Sequence, residues 1–518
     1  MSKVYYLTTP LYYVNDKPHI GHSYTNILCD TFARYQRFLG NEVFFLTGTD
    51  EHGEKIEKTA KGKGKEVGAY VDEIVLRFKD LWEKLGIEYD DFIRTTEERH
   101  KKVVQKILVD LHAKGDIYLG KYKGWYCTPC ESFWTELELQ DRKCPDCKRA
   151  VQEIQEENFF FKLSKYQSWL IGYISANPDF IFPSSRRKEI LAFLENPLED
   201  LCISRPKARL TWGIPYPGSP DHVVYVWFDA LINYVSAVGY GFDQPRFEKL
   251  WPADLHLVGK DILRQHTVYW PIMLKAIGIS VPKKVLAHGW WTMGGAKVSK
   301  SLGNIVDPVE VIGKYGVDAF RYFLLHEVTL GFDGAYSEKG LFERFTNDLA
   351  NDLGNLIHRS FGMLEKYFQE RIPASVDPSR INNALKTEGV DLWSKMEIAM
   401  NRFDPRSALE AAWNFIRNSN KFVEDSKPWI LAKDPSKKDA LAVVMYTLFE
   451  SMRLIGVVLT PLLPETGRKI LRELNLSDKV SKKDTGKWGL LKPGAAVGKS
   501  EPLFPKTDVE EETDSEQS

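Results

Sequence analysis

Two strings carry most of the chemistry in this chain: His19-Ile20-Gly21-His22, and Lys297-Val298-Ser299-Lys300-Ser301 about 275 residues downstream. Both set cationic or hydrogen-bond-donating side chains on backbone rich in Gly, Ser and turns, the surroundings a triphosphate needs. His19 and His22 open the first helical pattern, and a helix N-terminus offers free N–H groups and the positive end of its dipole. Each imidazole can donate to phosphate oxygens as charge develops at an α-phosphorus, and Gly21 leaves room for an adenine ring or ribose. Lys297 and Lys300 follow Gly294-Gly295, a segment able to close over a ligand. Lysine serves there as a mobile point charge for a leaving pyrophosphate. Taken alone, either string reads equally well as loop histidines or solvated lysines; the pair in this order favours phosphate.

A second constellation is made of thiols. Cys127-Thr128-Pro129-Cys130 and Cys144-Pro145-Asp146-Cys147 are two C-x-x-C units with 13 residues between them. Each unit presents two thiolates to one metal, and four thiolates make a closed tetrahedral zinc site. No position is left open for catalysis, so one structural Zn2+ is expected. A pair of disulfides is the rival reading, disfavoured in a reducing compartment. Cys29 and Cys202 read as ordinary buried thiols.

The elements that must hold these groups follow from periodicity. Val4-Tyr5-Tyr6-Leu7 reads as a buried strand, and the pattern after His22 puts Ile27, Leu28, Phe32, Tyr35 and Phe38 on one helical face. Glu42–Leu46 reads as the next buried strand and runs into Thr47-Gly48-Thr49-Asp50. Strand, helix, strand implies a parallel α/β unit with ligands at the carboxyl ends of its strands. Residues 115–225 break the rhythm with five of the six Cys, and read as an insertion. The α/β pattern is expected to resume at Val223–Trp227, then at Leu255–Gly259 and Val285–Gly289. From about residue 340 the text is helical: Phe342–Tyr367, Asn382–Met400, Pro405–Asp425 and Lys438–Leu459.

Composition bounds the rest. With 518 residues the chain needs three or four domains, and 43% hydrophobic with 27% charged residues is ordinary for a globular enzyme. A net charge of −1 is not that of an indiscriminate nucleic-acid binder. The basic stretches Arg99-His100-Lys101-Lys102 and Arg186-Arg187-Lys188 read as solvated faces. The last thirteen residues hold six acids and read as a disordered tail. No signal peptide and no apolar run of bilayer length is read, so the expected compartment is the cytoplasm, with no membrane.

The paired strings resemble the ATP-binding signatures of class I aminoacyl-tRNA synthetases. Thr9–Asn15, Gly48–Gly53, Ile203-Ser204-Arg205, Tyr225–Ala230, Gly259–Ile262 and the segment from His266 to Trp270-Pro271 narrow the resemblance to the methionyl-tRNA synthetases. It covers nearly the whole chain. It implies ATP binding by His19, Gly21, His22, Asp261, Lys297, Ser299 and Lys300, with Mg2+ accompanying ATP, and catalysis by His19, His22, Lys297 and Lys300. It implies a methionine pocket of Leu11, Tyr13, Asp50, Arg205, Trp227, Ala230, Tyr234, His266 and Trp270, Asp50 taking the ammonium. Polarizable thioether on aromatic walls suits that pocket, at about 0.3–1.5 kcal/mol per contact. Val298 stands where the family's second signature has Met; the position stays apolar. The implied zinc ligands are Cys127, Cys130, Cys144 and Cys147, and Asn355, Arg359, Pro428 and Trp429 would meet the anticodon.

The implied fold is α/β, a Rossmann-type doubly wound parallel sheet with a zinc-binding inserted domain, followed by an all-α helical-bundle anticodon-binding domain. The expected division is 1–114 and 225–285 for the two catalytic halves, 115–224 for the insertion, 286–340 for the second-signature loop and stem-contact region, 341–475 for the helical domain and 476–518 for the C-terminal segment. The partners implied are ATP, L-methionine and tRNA(Met), initiator tRNA included, and a chain ending soon after its helical domain is expected to be a monomer. A class I ligase for valine or leucine, and a non-catalytic RNA-binding paralogue, stay open as alternatives. Aromatic pocket residues disfavour the first, and the phosphate donors of both strings disfavour the second.

Overall fold

The computed structural model describes residues 4–128, 132–134, 136, 139, 141–145, 147–293, 296–297, 306–377, 381 and 383–505, with backbone alone at 122, 123, 132, 133, 296 and 297. Cys130, Gly294, Gly295, Val298, Ser299, Lys300, Ser301 and the acidic tail fall outside the described residues. By contacts the chain forms two compact units, Met1–Ala33 with Glu42–Trp290, and Arg34–Asn41 with Trp291–Ser518.

The first unit is built on a seven-stranded sheet. Tyr12–Tyr13, Glu42–Asp50, Val4–Thr8, Leu255–Gly259, Val285–His288 and Ile181–Phe182 lie side by side in that order, and Asp91–Arg94 also pairs with Glu42–Asp50. Every pairing is parallel. Buried strands of this kind read as continuous apolar runs, which is why Val4–Leu7, Glu42–Leu46, Leu255–Gly259 and Val285–His288 were legible. Sequence-adjacent crossings run outward from Val4–Thr8 on one side and from Leu255–Gly259 on the other. The carboxyl ends of these two neighbours are therefore the switch point where ligands bind in open α/β sheets. Helix Glu98–Ala113 covers the sheet with Val103, Val104, Ile107, Leu108 and Leu111, all in one core with Tyr6, Leu46 and Ile93.

Two expectations need correction. Val223–Trp227 is not a strand of this sheet: His222–Val224 pairs antiparallel with Ser204–Pro206, and a helix runs from Val226 to Leu231. A short, wholly apolar run looks the same in a strand and in a buried helix, so periodicity could not separate them. Nor is the insertion wholly separate. Its antiparallel sheet pairs Ile117–Cys127 with Gln152–Phe161, but Ile181–Phe182 joins the parallel sheet at its edge, Ile181 opposite Val285.

The second unit is helical. Helices Asn355–Phe368, Ala384–Asn401, Pro405–Ser426 and Pro464–Glu473 pack on Lys438–Leu459. Asn383 and Asp404 cap two of them by accepting from Lys386 N and Ser407 N, and Pro405 takes the first helical position, where no donor is lost. The stretch Pro435–Leu459 is long and apolar enough to cross a membrane, contrary to the reading that no run reaches that length; 89% of its most apolar window is buried. Burial runs right round it from Met445 to Leu459, as in the central helix of a core. A small sheet pairs Trp291–Met293 antiparallel with Ala296–Lys297, which places the backbone of Lys297 opposite Thr292.

Candidate active site

Helix Ile20–Phe38 begins one residue after His19, so His22 lies in its first turn rather than in the preceding loop. The N–H groups of His22 and Ser23 both return to His19 O, at 2.9 and 3.1 Å. The two imidazoles stack with centroids 3.9 Å apart. His22 Nδ1 accepts from His19 N at 3.1 Å, and His19 Nδ1 accepts from Gly21 N at 3.1 Å. A neutral imidazole that accepts at one nitrogen carries its proton on the other. Each ring is thus held as the Nε2–H tautomer, with that N–H as its donor. A Cβ on Gly21 would come within 3.0 Å of His19 Cε1, so any larger residue would press on this ring. Thr25 Oγ1 joins the helix start to the strand end, 3.0 Å from Gly21 O and 2.8 Å from His288 Nε2.

Around the helix start lie the carboxyl ends of the strands. Leu11 and Tyr13 follow Val4–Thr8 and are half-buried; Tyr13 is the register partner of Asp50, which closes Glu42–Asp50. A Cβ on Gly48 would stand 2.0 Å from Ile93 O and 2.9 Å from Leu11 Cδ2, so only glycine admits both neighbours. Asp261, just past Leu255–Gly259, is exposed and accepts from Trp290 Nε1 at 3.1 Å, while Lys260 Nζ lies 4.0 Å from the Trp290 ring.

The structure brings Tyr234, His266 and Trp270 together. Tyr234 Oη and His266 Nε2 are 2.7 Å apart, and the Tyr234 and Trp270 ring centroids 5.8 Å. His266 Nδ1 lies 2.8 Å from Ile262 O and can only donate there, so its Nε2 accepts the tyrosine proton. Burial pushes His266 down to about 4, which keeps it neutral. Beneath it, His256 stacks on Tyr234 at 4.2 Å, meets Thr8 Oγ1 at 2.8 Å and accepts from Trp270 Nε1 at 3.3 Å. Burial, with His266 nearby, holds His256 far below its usual value. These walls are aromatic, buried and uncharged. Trp227 is half-buried and Ala230 buried on helix Val226–Leu231, which packs against the turn bearing His266. Arg205 is buried too, but its contacts run elsewhere: its guanidinium lies 4.2 Å from the Tyr225 ring and 5.4 Å from Tyr126.

Several groups here went unread in the sequence. Glu51, fully buried, accepts from Arg94 Nε and Nη2 at 2.7 and 2.9 Å and from Thr49 and Thr96 at 2.6 Å each. Asp229, also fully buried, has His52 Nδ1 at 2.6 Å on one oxygen and His100 Nε2 at 2.7 Å on the other. Burial pushes the Asp229 carboxyl up, but the two imidazoles outweigh it and leave it below the ordinary aspartate value. His100 therefore does not belong to a solvated basic face, although Lys102 beside it is exposed. A signal existed: His100 falls in step with Val103, Val104, Ile107 and Leu111 on the apolar stripe, and Asp229 is the one acid among Val226-Trp227-Phe228 and Ala230-Leu231. Buried polar groups in such places need partners.

The sulfur atoms of Cys127, Cys144 and Cys147 lie within 4.8 Å of one another, and Cys127 Sγ is 3.5 Å from Cys147 Sγ. That is far beyond a disulfide bond and fits thiolates around one metal ion. Cys29 and Cys202 are buried thiols, as expected. In the helical unit, Arg359 pairs with Glu424 at 2.7 Å and its guanidinium sits 6.0 Å from the Trp429 ring. Asn355 is exposed one turn before Arg359, Trp429 is half-buried and Pro428 is buried. Lys427, in the left-handed region at φ 45°, ends one helix so that Pro428 can start the next.

Comparison with known proteins decides what this arrangement belongs to. The family model "tRNA synthetases class I (M)" matches residues 5–155 and 150–361, and "Anticodon binding domain of methionyl tRNA ligase" matches 372–518. The chain belongs to the methionyl-tRNA synthetases. It is 49% identical to the methionine–tRNA ligase of Caldanaerobacter subterraneus subsp. tengcongensis, across 99% of this chain and 80% of that one. With the Thermotoga maritima methionine–tRNA ligase it shares 46% identity, across 98% and 81%. Among solved structures, Mycobacterium tuberculosis methionyl-tRNA synthetase in complex with methionyl-adenylate superposes with a TM-score of 0.93 at 39% identity, covering 97% of this chain and 100% of that one. As a member of this family the chain is a methionine–tRNA ligase, with methionine, ATP and tRNA as substrates.

Proposed function

We propose that His19, His22, Lys297 and Lys300 carry the adenylation step of the ligase reaction. A methionine carboxylate oxygen attacks the α-phosphorus of ATP, the bond to the β-phosphate oxygen breaks, and pyrophosphate leaves; Mg2+ accompanying ATP would offset part of its charge. The ribose hydroxyl at the tRNA 3′ end then attacks the acyl carbon and AMP departs. No protein side chain becomes covalent; positioning and electrostatics do the work. The observation that carries this reading is the tautomer lock at the helix start, which leaves both histidines as Nε2–H donors beside the ends of parallel strands. Gly21, Asp261 and Ser299 complete the ATP contacts.

For methionine we assign the ammonium to Asp50 and the side chain to Leu11, Tyr13, Trp227, Ala230, Tyr234, His266 and Trp270. The neutral, buried state of His266 supports this, because an apolar thioether is not drawn to an imidazolium. Arg205 joins this set only by family resemblance. The metal is one structural Zn2+, bound by Cys127, Cys144 and Cys147 with Cys130 as fourth ligand, and it supplies folding energy rather than chemistry. The RNA partner is tRNA(Met), initiator tRNA included. Asn355, Arg359 and Trp429 are set to meet unstacked anticodon bases, and buried Pro428 aims Trp429.

Amino-acid-dependent ATP–pyrophosphate exchange tests these roles. Methionine alone of the standard amino acids should support exchange, and Lys297→Ala should slow it at least about a hundredfold while methionine binding stays near normal. A normal exchange rate in that variant removes Lys297 from the step.

A further inference from the structure

We propose that Asp229 is a positioning residue for methionine: by gripping His52 and His100 it holds the helix bearing Trp227 and Ala230 against the strand end bearing Asp50. The inference rests on the assignment of Asp50, Trp227 and Ala230 to methionine.

Three segments far apart in sequence meet at this carboxylate. His52 follows Asp50 by two residues, His100 belongs to helix Glu98–Ala113, and Asp229 sits between Trp227 and Ala230 in a helix of only six residues. All three side chains are buried, with Asp229 and His100 at 0% exposure. A carboxylate only accepts, so His52 Nδ1 and His100 Nε2 must both carry protons. His100 Nδ1 meets Ser236 Oγ, 2.8 Å away. Both carboxylate oxygens are therefore bound in one orientation, and the short helix cannot slide without breaking a buried bond.

The strand end is held from its other side as well. Glu51 is clamped by Arg94, and Gly53 N donates to Trp212 O at 3.3 Å. Asp50 is thus followed by two fixed neighbours, Glu51 and His52, and His52 leads across to the helix of Trp227. A ligand gripped at both ends, ammonium and thioether, depends on the distance between its two grips. Misplacement by about 1 Å can cost on the order of a hundredfold. Asp229 is fully buried and both its oxygens are taken by His52 and His100, so its effect belongs to methionine binding.

Exchange kinetics on the full chain, with methionine and ATP varied separately, test the proposal. Asp229→Asn should raise the methionine KM about tenfold to a hundredfold, with ATP KM and kcat within about threefold. Since that variant leaves a buried mismatch and can fail to fold, His52 supplies an independent pair. Asn places an amide nitrogen where the imidazole has Nδ1, so His52→Asn should keep the methionine KM within about threefold of the parent, whereas His52→Leu should raise it about tenfold or more. Equal methionine KM in His52→Asn and His52→Leu, or a parallel rise in ATP KM, overturns the positioning role. Asp50→Asn and Trp227→Ala serve as controls for the underlying assignment. If these leave the methionine KM unchanged, the pocket assignment fails; if they raise it while the Asp229 and His52 variants do not, only the present inference fails.

Discussion

The two units bury polar side chains for different ends. In the first, buried acids and histidines from distant segments converge on the carboxyl ends of parallel strands: Glu51, His52, His100, Asp229, His256 and His266. In the second, buried acids tie backbone or a neighbouring side chain to a helix. Glu450 accepts from Gly489, Leu490 and Leu491 N–H and from Arg453, fastening the stretch after Asp484 to the central helix. Asp318 accepts from Thr466 N at 2.6 Å, at the start of helix Pro464–Glu473. Asp348 receives Tyr322 and Arg344. A parallel sheet gathers its strand ends at one edge, so polar groups placed there meet one another. A helical bundle has no such edge, and its buried polar groups satisfy helix termini and returning chain instead.

If that contrast holds, removing a tie in the helical unit should lower stability and spare activation. Glu450→Ala leaves buried Arg453 without its carboxylate partner and three N–H groups, that of Leu491 buried, without their acceptor, and should cost about 3–5 kcal/mol in thermal or urea unfolding. Methionine-dependent exchange at 25 °C should be kept; loss of exchange with no loss of stability would contradict the division. The mirror experiment is His22→Ala, expected to lower exchange kcat about a hundred- to a thousandfold with little change in Tm.

Titration sharpens the same comparison because its sign differs between the units. His266 is depressed from 6.5 to about 4. Its neutral form is favoured by folding, so its contribution is full above pH 6.5 and is lost as pH falls toward 4. Over that window the loss amounts to about 3 kcal/mol. Asp318 runs the other way. Burial raises it from 3.8 to about 6, so its contribution is full below pH 3.8 and is lost as pH rises through 6. His266→Gln should flatten the acid-side fall in stability, and Asp318→Asn should gain on the parent as pH rises from 4 to 6; urea midpoints across that range measure both. The smallest effect belongs to the exposed patch of the helical unit. Arg359→Ala should raise the KM for tRNA about tenfold in aminoacylation and leave tRNA-independent exchange untouched.

How much was legible differs by unit as well. The long helices of the second unit stood out because a 3.6-residue apolar period sustained over some twenty residues has no rival reading. Lys438–Leu459 begins where the pattern places it, and Pro405 marks the start of its helix. In the first unit, His19–His22 and the segment Gly48–Gly53 were legible as contiguous strings. Short pieces were not. Val223–Trp227 became an antiparallel strand end and a helix, and Ile181–Phe182, two residues inside an insertion, became an edge strand of the main sheet.

By itself the sequence determined the family, the parallel α/β class, the helical second half and the residue types at the strand ends. These are carried by local strings and local periods, which act before any long-range contact forms. Only the tertiary structure decided which nitrogen of His19 and His22 bears its proton, that His266 is neutral, and that Asp229 joins His52 to His100. Those facts depend on atoms brought together across as many as 177 residues of chain, and on the loss of water around them. A hydrogen-bond partner and a desolvation cost are properties of a place, and no stretch of residues contains its place.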